Sequence, residues 1–228
     1  MRALILSTAR VAALAVAMAV VAGCTTSDPE PKASRSVKPP EVALTEACPG
    51  LITDAAGEAV RAVLQSSQLV NDDAQTVGVT AMGKALEGAY KAGPKVRETP
   101  VAPCVVTGSV GRGSRVAEIR LSADSGKAGP LSPDRVGVRV VLGAQEGSVS
   151  FDCASTRAGS SAEVPLRVTS VFTNRFHKIR KDDRPEDHYL VVAHSAALAV
   201  ARELGCANEG GLPARAGELP PAQPGSSS

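Results

Sequence analysis

Cysteine and histidine are the side chains of this sequence best equipped for chemistry, as nucleophiles, metal ligands or cross-links. Five cysteines and three histidines occur in 228 residues. Cys24 stands apart, directly behind an apolar run, while Cys48, Cys104, Cys153 and Cys206 are spread along the rest of the chain. No C-x-x-C pair exists, which argues against a zinc site. His188 and His194 are six residues apart, on opposing sides of a helix, and H-E-x-x-H is absent. His194 shares a helical stripe with Leu190, Ala197 and Ala201, the position of a core or edge histidine. No G-x-S-x-G elbow marks a serine nucleophile. Gly111-Arg112-Gly113 lacks the dinucleotide spacing. The acid pairs Asp72-Asp73 and Asp182-Asp183 read as solvated loops rather than calcium ligands. We therefore assign no catalytic residue, no metal and no cofactor.

The strongest binding candidate is the loop around Phe176, His177, Lys178, Ile179, Arg180 and Lys181. It sets two apolar side chains among the five cations of residues 175–184. Phe176 and Ile179 either pack beneath the loop or contact a partner. The cations would suit an anionic polymer of the cell envelope.

Compartment is read from the start of the chain. Arg2 and Arg10 precede and begin an unbroken apolar run of 12 residues from Val11 to Ala22. A basic start, a short apolar stretch and small residues before a cut are the layout of an export signal. A spanning helix needs about 20 residues, so this run is too short to be one. Val21-Ala22-Gly23-Cys24 resembles the bacterial lipobox. That resemblance implies cleavage before Cys24, a diacylglyceryl thioether on its sulfur and an acyl group, such as palmitate, on the new amine. A thiolate is the better nucleophile for such alkylation. Each buried CH₂ contributes about 0.8 kcal/mol, and two chains anchor stably where one is marginal. The expectation is a lipid-anchored protein on the outer face of the cell membrane; an ordinary secretory cut is the alternative.

Export changes the reading of the other four cysteines. An even set in an oxidising compartment points to disulfides. Of the three possible connectivities we expect Cys48–Cys104 and Cys153–Cys206, each closing a loop of more than 50 residues. Such staples suit a core with only five aromatics (Tyr90, Phe151, Phe172, Phe176, Tyr189), built mostly from Val, Leu and Ala. Without residues 1–23 the chain carries 23 Lys and Arg against 23 Asp and Glu. That balance argues against a nucleic-acid partner.

The elements that must position these residues follow from periodicity. Residues 24–43 are rich in Pro, Ser and charge and read as a tether. Residues 44–206 form one domain. Thr53 suits a helix N-cap, followed by the stripe Ala56, Ala59, Val60, Val63 and Leu64. A second helix is expected over Val79–Tyr90, ending at Gly93-Pro94. From Val101 the period changes to two, giving about five strands with one dry face. Val136, Val138, Val140 and Leu142 and then Val149, Phe151 and Cys153 should form a hairpin across Gly143–Gly147. Pro185 opens a long last helix that Gly205 stops, with His188, Ser195 and Arg202 on its polar face. Residues 207–228 read as a disordered tail. The expected fold is α+β: an antiparallel sheet of about five strands with two N-terminal helices and one long C-terminal helix on one face.

The lipobox, the tether, the Cys48–Thr53 entry into a helix, the strand cysteine and the final Glu203-Leu204-Gly205-Cys206 together resemble secreted lipoproteins of high-GC actinobacteria whose domains have no known function. The resemblance implies an anchored, disulfide-paired domain and supplies no catalytic residue. Expected partners are the membrane, through lipid on Cys24, and an unidentified envelope ligand or protein. A non-enzymatic binding domain is the leading expectation. An envelope hydrolase using His177 or His188 with a loop acid, and a structural subunit of a membrane complex, are the alternatives.

Overall fold

The computed structural model describes residues 43–70, 77–93, 102–110, 113–125, 136–175 and 186–225. Cys24, the tether and the Phe176–Lys181 loop lie outside the described residues. A single turn, α1 (Leu44–Ala47), seats Leu44 and Ala47 in the core. In α2 (Asp54–Leu64) the Thr53 hydroxyl accepts from the Ala56 N–H at 3.3 Å, and Ala56, Ala59, Val60, Val63 and Leu64 are buried. This is the cap and stripe the sequence predicts. In α3 (Val79–Ala92) the buried face carries Met82, Leu86, Ala89 and Tyr90, and Gly93 follows its end. The last helix, α4 (Glu186–Leu204), stops at Gly205, whose φ of +66° a glycine adopts without strain.

Among the described residues seven strands form one sheet: β1 (Leu69–Val70), β2 (Cys104–Val110), β3 (Gly113–Ser125), β4 (Arg139–Leu142), β5 (Glu146–Cys153), β6 (Leu166–Asn174) and β7 (Gln223–Pro224). Their order is β1-β2-β3-β6-β5-β4-β7. Every pair is antiparallel except β4 with β7, so the sheet is mixed. The five strands expected correspond to β2 through β6. The two edge strands are two residues each, too short to carry a period. Val136, expected in the third strand, is exposed ahead of it.

Register explains the core. Cys104, Ile119, Phe172 and Gly147 stand in one row across β2, β3, β6 and β5. Leu121, Ser170, Val149 and Val140 form the next. These side chains meet α2, α3 and α4, and one apolar core joins the sheet to the helices. Gly147 makes room for α4: a Cβ there would lie 2.8 Å from that of Tyr189. On the other face Ser122, Thr169, Ser150 and Arg139 are in register, with Ser150 and Thr169 hydroxyls 2.9 Å apart.

Both disulfides form as expected. Cys48 pairs with Cys104 across Cα atoms 5.8 Å apart, and Cys153 with Cys206 across 4.9 Å. The first ties the start of the helical layer to β2; the second ties the end of α4 to β5.

The expectation of a disordered tail is overturned over 207–225. A 3-10 turn at Ala207–Gly211 leads to the buried Leu212, a second at Ala216–Glu218 packs on α4, and β7 then pairs with β4. Long-range bonds fix this strap: Ala207 N–H donates to Ala154 O at 2.9 Å and Gly225 N–H to Leu142 O at 2.8 Å. Gly210 has φ +69°, and a Cβ there would lie 2.3 Å from the Phe151 ring, so the strap passes where only glycine fits.

Candidate functional site

A helix that is apolar on most of its circumference must be covered on most of it. Tyr189, Val192, Ala193, Ala196, Ala197 and Val200 of α4 face the core. A second stripe, at Val191, His194, Ser195, Leu198, Ala199 and Arg202, recurs at helical spacing on another side. It is covered only in part. Gly50, Thr53 and Ala55, at the start of α2, flank it on one side, and Ala214 to Gly217 of the strap flank it on the other. Between these walls lies a groove of about 510 Å³. Its volume falls within the range of ligand pockets; its lining is Gly, Ala, Val and Leu with Thr53, His194, Ser195, Arg202 and Arg215.

The polar groups of the groove have definite states. His194 is 4 % exposed, and its Nε2 lies 2.8 Å from the Pro213 carbonyl. A carbonyl only accepts, so this nitrogen carries the proton. Burial pushes the pKa of His194 below the ordinary histidine value, and the charge of Arg202 pushes the same way, against the Pro213 carbonyl and Glu218. The ring is therefore neutral at pH 7. The Ser195 hydroxyl donates to Leu51 O at 3.0 Å and accepts from the Thr53 N–H at 3.1 Å. Its proton points at a carbonyl, so the adjacent His194 and Ser195 are not arranged as base and nucleophile. Arg202 donates from Nε to Glu209 Oε1 at 2.8 Å. The Arg215 side chain has no hydrogen-bond or ion-pair partner among the described residues.

His194 gives a pH prediction. Its pKa is lower folded than unfolded, so protonation favours the unfolded chain. Stability is fully present above the unfolded value and is lost as pH falls below about 6.5. Denaturant titrations at neutral and acid pH should show His194→Gln losing less stability on acidification than the wild type, with His177 and His188 common to both. Equal losses would contradict this assignment.

A second pocket, of about 450 Å³, opens on the other face of the sheet, between Val105, Val116, Glu118 and Arg175. Glu118 is 2 % exposed, and each of its oxygens is taken, one by Arg120 and one by Arg175 at 2.5 Å. Toward the other end of that face, Arg167 donates to Asp152 at 2.7 Å while Asp152 accepts from Gly137 N–H at 2.6 Å. These buried charges are compensated and hold strands and loops in register.

Among the residues singled out from sequence, the four paired cysteines are structural, and Cys24 and Phe176–Lys181 lie outside the described residues. Ser195, expected on the wet face of α4, is buried, because the chain entering α2 lies over it. His188 is exposed. Among the described residues no set of three or more His, Cys, Asp or Glu is placed to hold a metal ion, and no helix is long and apolar enough to cross a membrane. In the sequence the core stripe of α4 is legible, and the groove stripe beside it was not singled out; the opposite wall, the strap, has no period to read. Comparison with protein-family models, curated proteins and solved structures finds nothing that matches this chain, so its own residues carry the functional reading.

Proposed function

We propose that the chain is an exported lipoprotein, anchored on the outer face of the cell membrane by lipid on Cys24, and that its folded body is a non-enzymatic binding domain. The groove beside α4 is its binding site. The observation that carries this reading is the groove itself: a concave surface lined by apolar residues and five polar side chains, Thr53, His194, Ser195, Arg202 and Arg215, four of which already have partners. His194 Nε2 is held by Pro213 and Ser195 Oγ by Leu51, which favours binding over acid–base or nucleophilic chemistry. Two disulfides support an oxidising compartment. The Phe176–Lys181 loop remains a proposed second contact, for an anionic envelope polymer.

Ala199 lines the groove without being fully buried, so Ala199→Trp fills the space while leaving the core intact. Native mass spectrometry of protein purified from membranes should find small molecules bound to the wild type and about tenfold less bound to Ala199→Trp. The same bound material on both proteins would overturn the groove as the site.

A further inference from the structure

The lining of the groove has a chemical polarity that narrows what it takes. Its apolar part is Ala55, Val191, Leu198, Ala199, Ala214 and Ala216, contributed by all three walls. Among the described residues its charged lining residues are Arg202 and Arg215, one on α4 and one on the strap, with no carboxylate beside them in the lining. Arg202 sits in the last turn of α4, at the negative end of the helix, and Glu209 holds its Nε from outside the lining. That contact uses one of five N–H donors and leaves the rest of the guanidinium to the groove. Arg215 adds a second guanidinium with no partner among the described residues. His194, also in the lining, has committed its N–H to the Pro213 carbonyl.

We infer that the groove binds an amphiphile with one anionic group, its hydrocarbon part along Val191, Leu198 and Ala199 and its carboxylate or phosphate on Arg202 and Arg215. This rests on the groove being the binding site. Guanidinium groups recognise both anions through paired N–H donors, while the apolar walls cover the hydrocarbon part; both arginines are exposed, so the attraction weakens with salt. Neither a bare anion, which leaves the walls uncovered, nor a neutral amphiphile, which leaves the two cations unused, matches the lining as well.

The test is calorimetric titration of the purified domain, lipid anchor removed, with decanoate, decyl phosphate, decyl glucoside, decyltrimethylammonium and inorganic phosphate, all as monomers. Decanoate or decyl phosphate should bind at least about tenfold tighter than the other three, and whichever of the two is preferred identifies the head group. Arg202→Gln combined with Arg215→Gln should erase that preference while decyl glucoside binding is retained. Ala199→Trp, and separately Ala216→Trp from the opposite wall, should abolish binding of all the amphiphiles; thermal melts report whether each variant is folded. Equal affinity for anionic and neutral amphiphiles, or an unchanged preference in the arginine variant, would overturn the ligand class and leave the groove standing. Unchanged binding in both folded tryptophan variants would overturn the groove.

Discussion

Replacing Cys153 and Cys206 together by alanine should cost about 4 kcal/mol of stability. The bond closes a separation of 53 residues, and removing that closure returns its conformational entropy to the unfolded chain. Alanine is the right replacement, because Cys153 is fully buried and a serine hydroxyl would add an unsatisfied polar group. The loss has a structural consequence as well. Cys206 is the base of the strap, and the residues after it, Asn208 and Glu209, have φ of +49° and +51°, a region that side chains other than glycine occupy at a cost. With the sulfur link gone, that strained turn is held by non-covalent contacts: the Ala207 N–H on Ala154 O, Arg202 on Glu209, Leu212 in the core, Pro213 on His194 and the β4 pairing. The Cys48–Cys104 bond closes 56 residues and carries a similar figure, so removing both approaches the roughly 5–15 kcal/mol that keeps a typical domain folded. Denaturant titration of each alanine pair checks this. A loss under about 1 kcal/mol for the Cys153–Cys206 pair would contradict the entropy argument.

Phe172→Ala should cost about 3–5 kcal/mol, the range for deleting a buried aromatic ring. Phe172 is on β6, between β3 and β5, and is wholly buried. Its ring centroid lies 5.9 Å from that of Tyr189, with the planes tilted by 53°, a geometry that adds about 0.5–1.5 kcal/mol to the area term. The neighbours cannot refill the space. Gly147, opposite it in register, has no side chain, and a Cβ there would collide with α4. Phe172→Leu, which keeps most of the volume, should cost far less than Phe172→Ala. Near-equal values for the two, from the same denaturant experiment, would mean that the ring does not fill the space under α4.

What could be read from the sequence depended on how local its cause was. The α2 cap and stripe depend on residues within one turn of each other, and Thr53 with Ala56 through Leu64 stand as the spacing requires. Strands β2 to β6 each carry enough alternation to reveal a dry row, which placed Cys153 where a helix-borne cysteine could reach it; the choice of Cys206 among the three connectivities was an expectation that the structure bears out. The strap had no such signature. Its Gly, Pro and Ala residues are ordered by partners far away in sequence: Leu212 by the core, Pro213 by His194, Gly225 by Leu142. The candidate site suffered most from this. The helix itself was legible, and His194 was expected to be buried and is, but the stripe from Val191 to Arg202 was not singled out, because it mixes apolar residues with Ser195 and Arg202 that the spacing assigned to a polar face. The rest of the site required knowing that Thr53 and Ala214 come to opposite sides of the same helix. Ser195 was misplaced for the same reason, since its spacing from His188 and Arg202 says nothing of the α2 entry that covers it.

The central claim is that this disulfide-stapled body is held at the outer face of a membrane by lipid on one cysteine. Mass analysis of the protein extracted from membranes, without reduction, tests it most directly. The account predicts a mature chain that begins at Cys24, carries the mass of a diacylglyceryl group and an amide-linked acyl chain on that residue, and has no free thiol at Cys48, Cys104, Cys153 or Cys206. A chain that retains Met1 and carries five free thiols would contradict it.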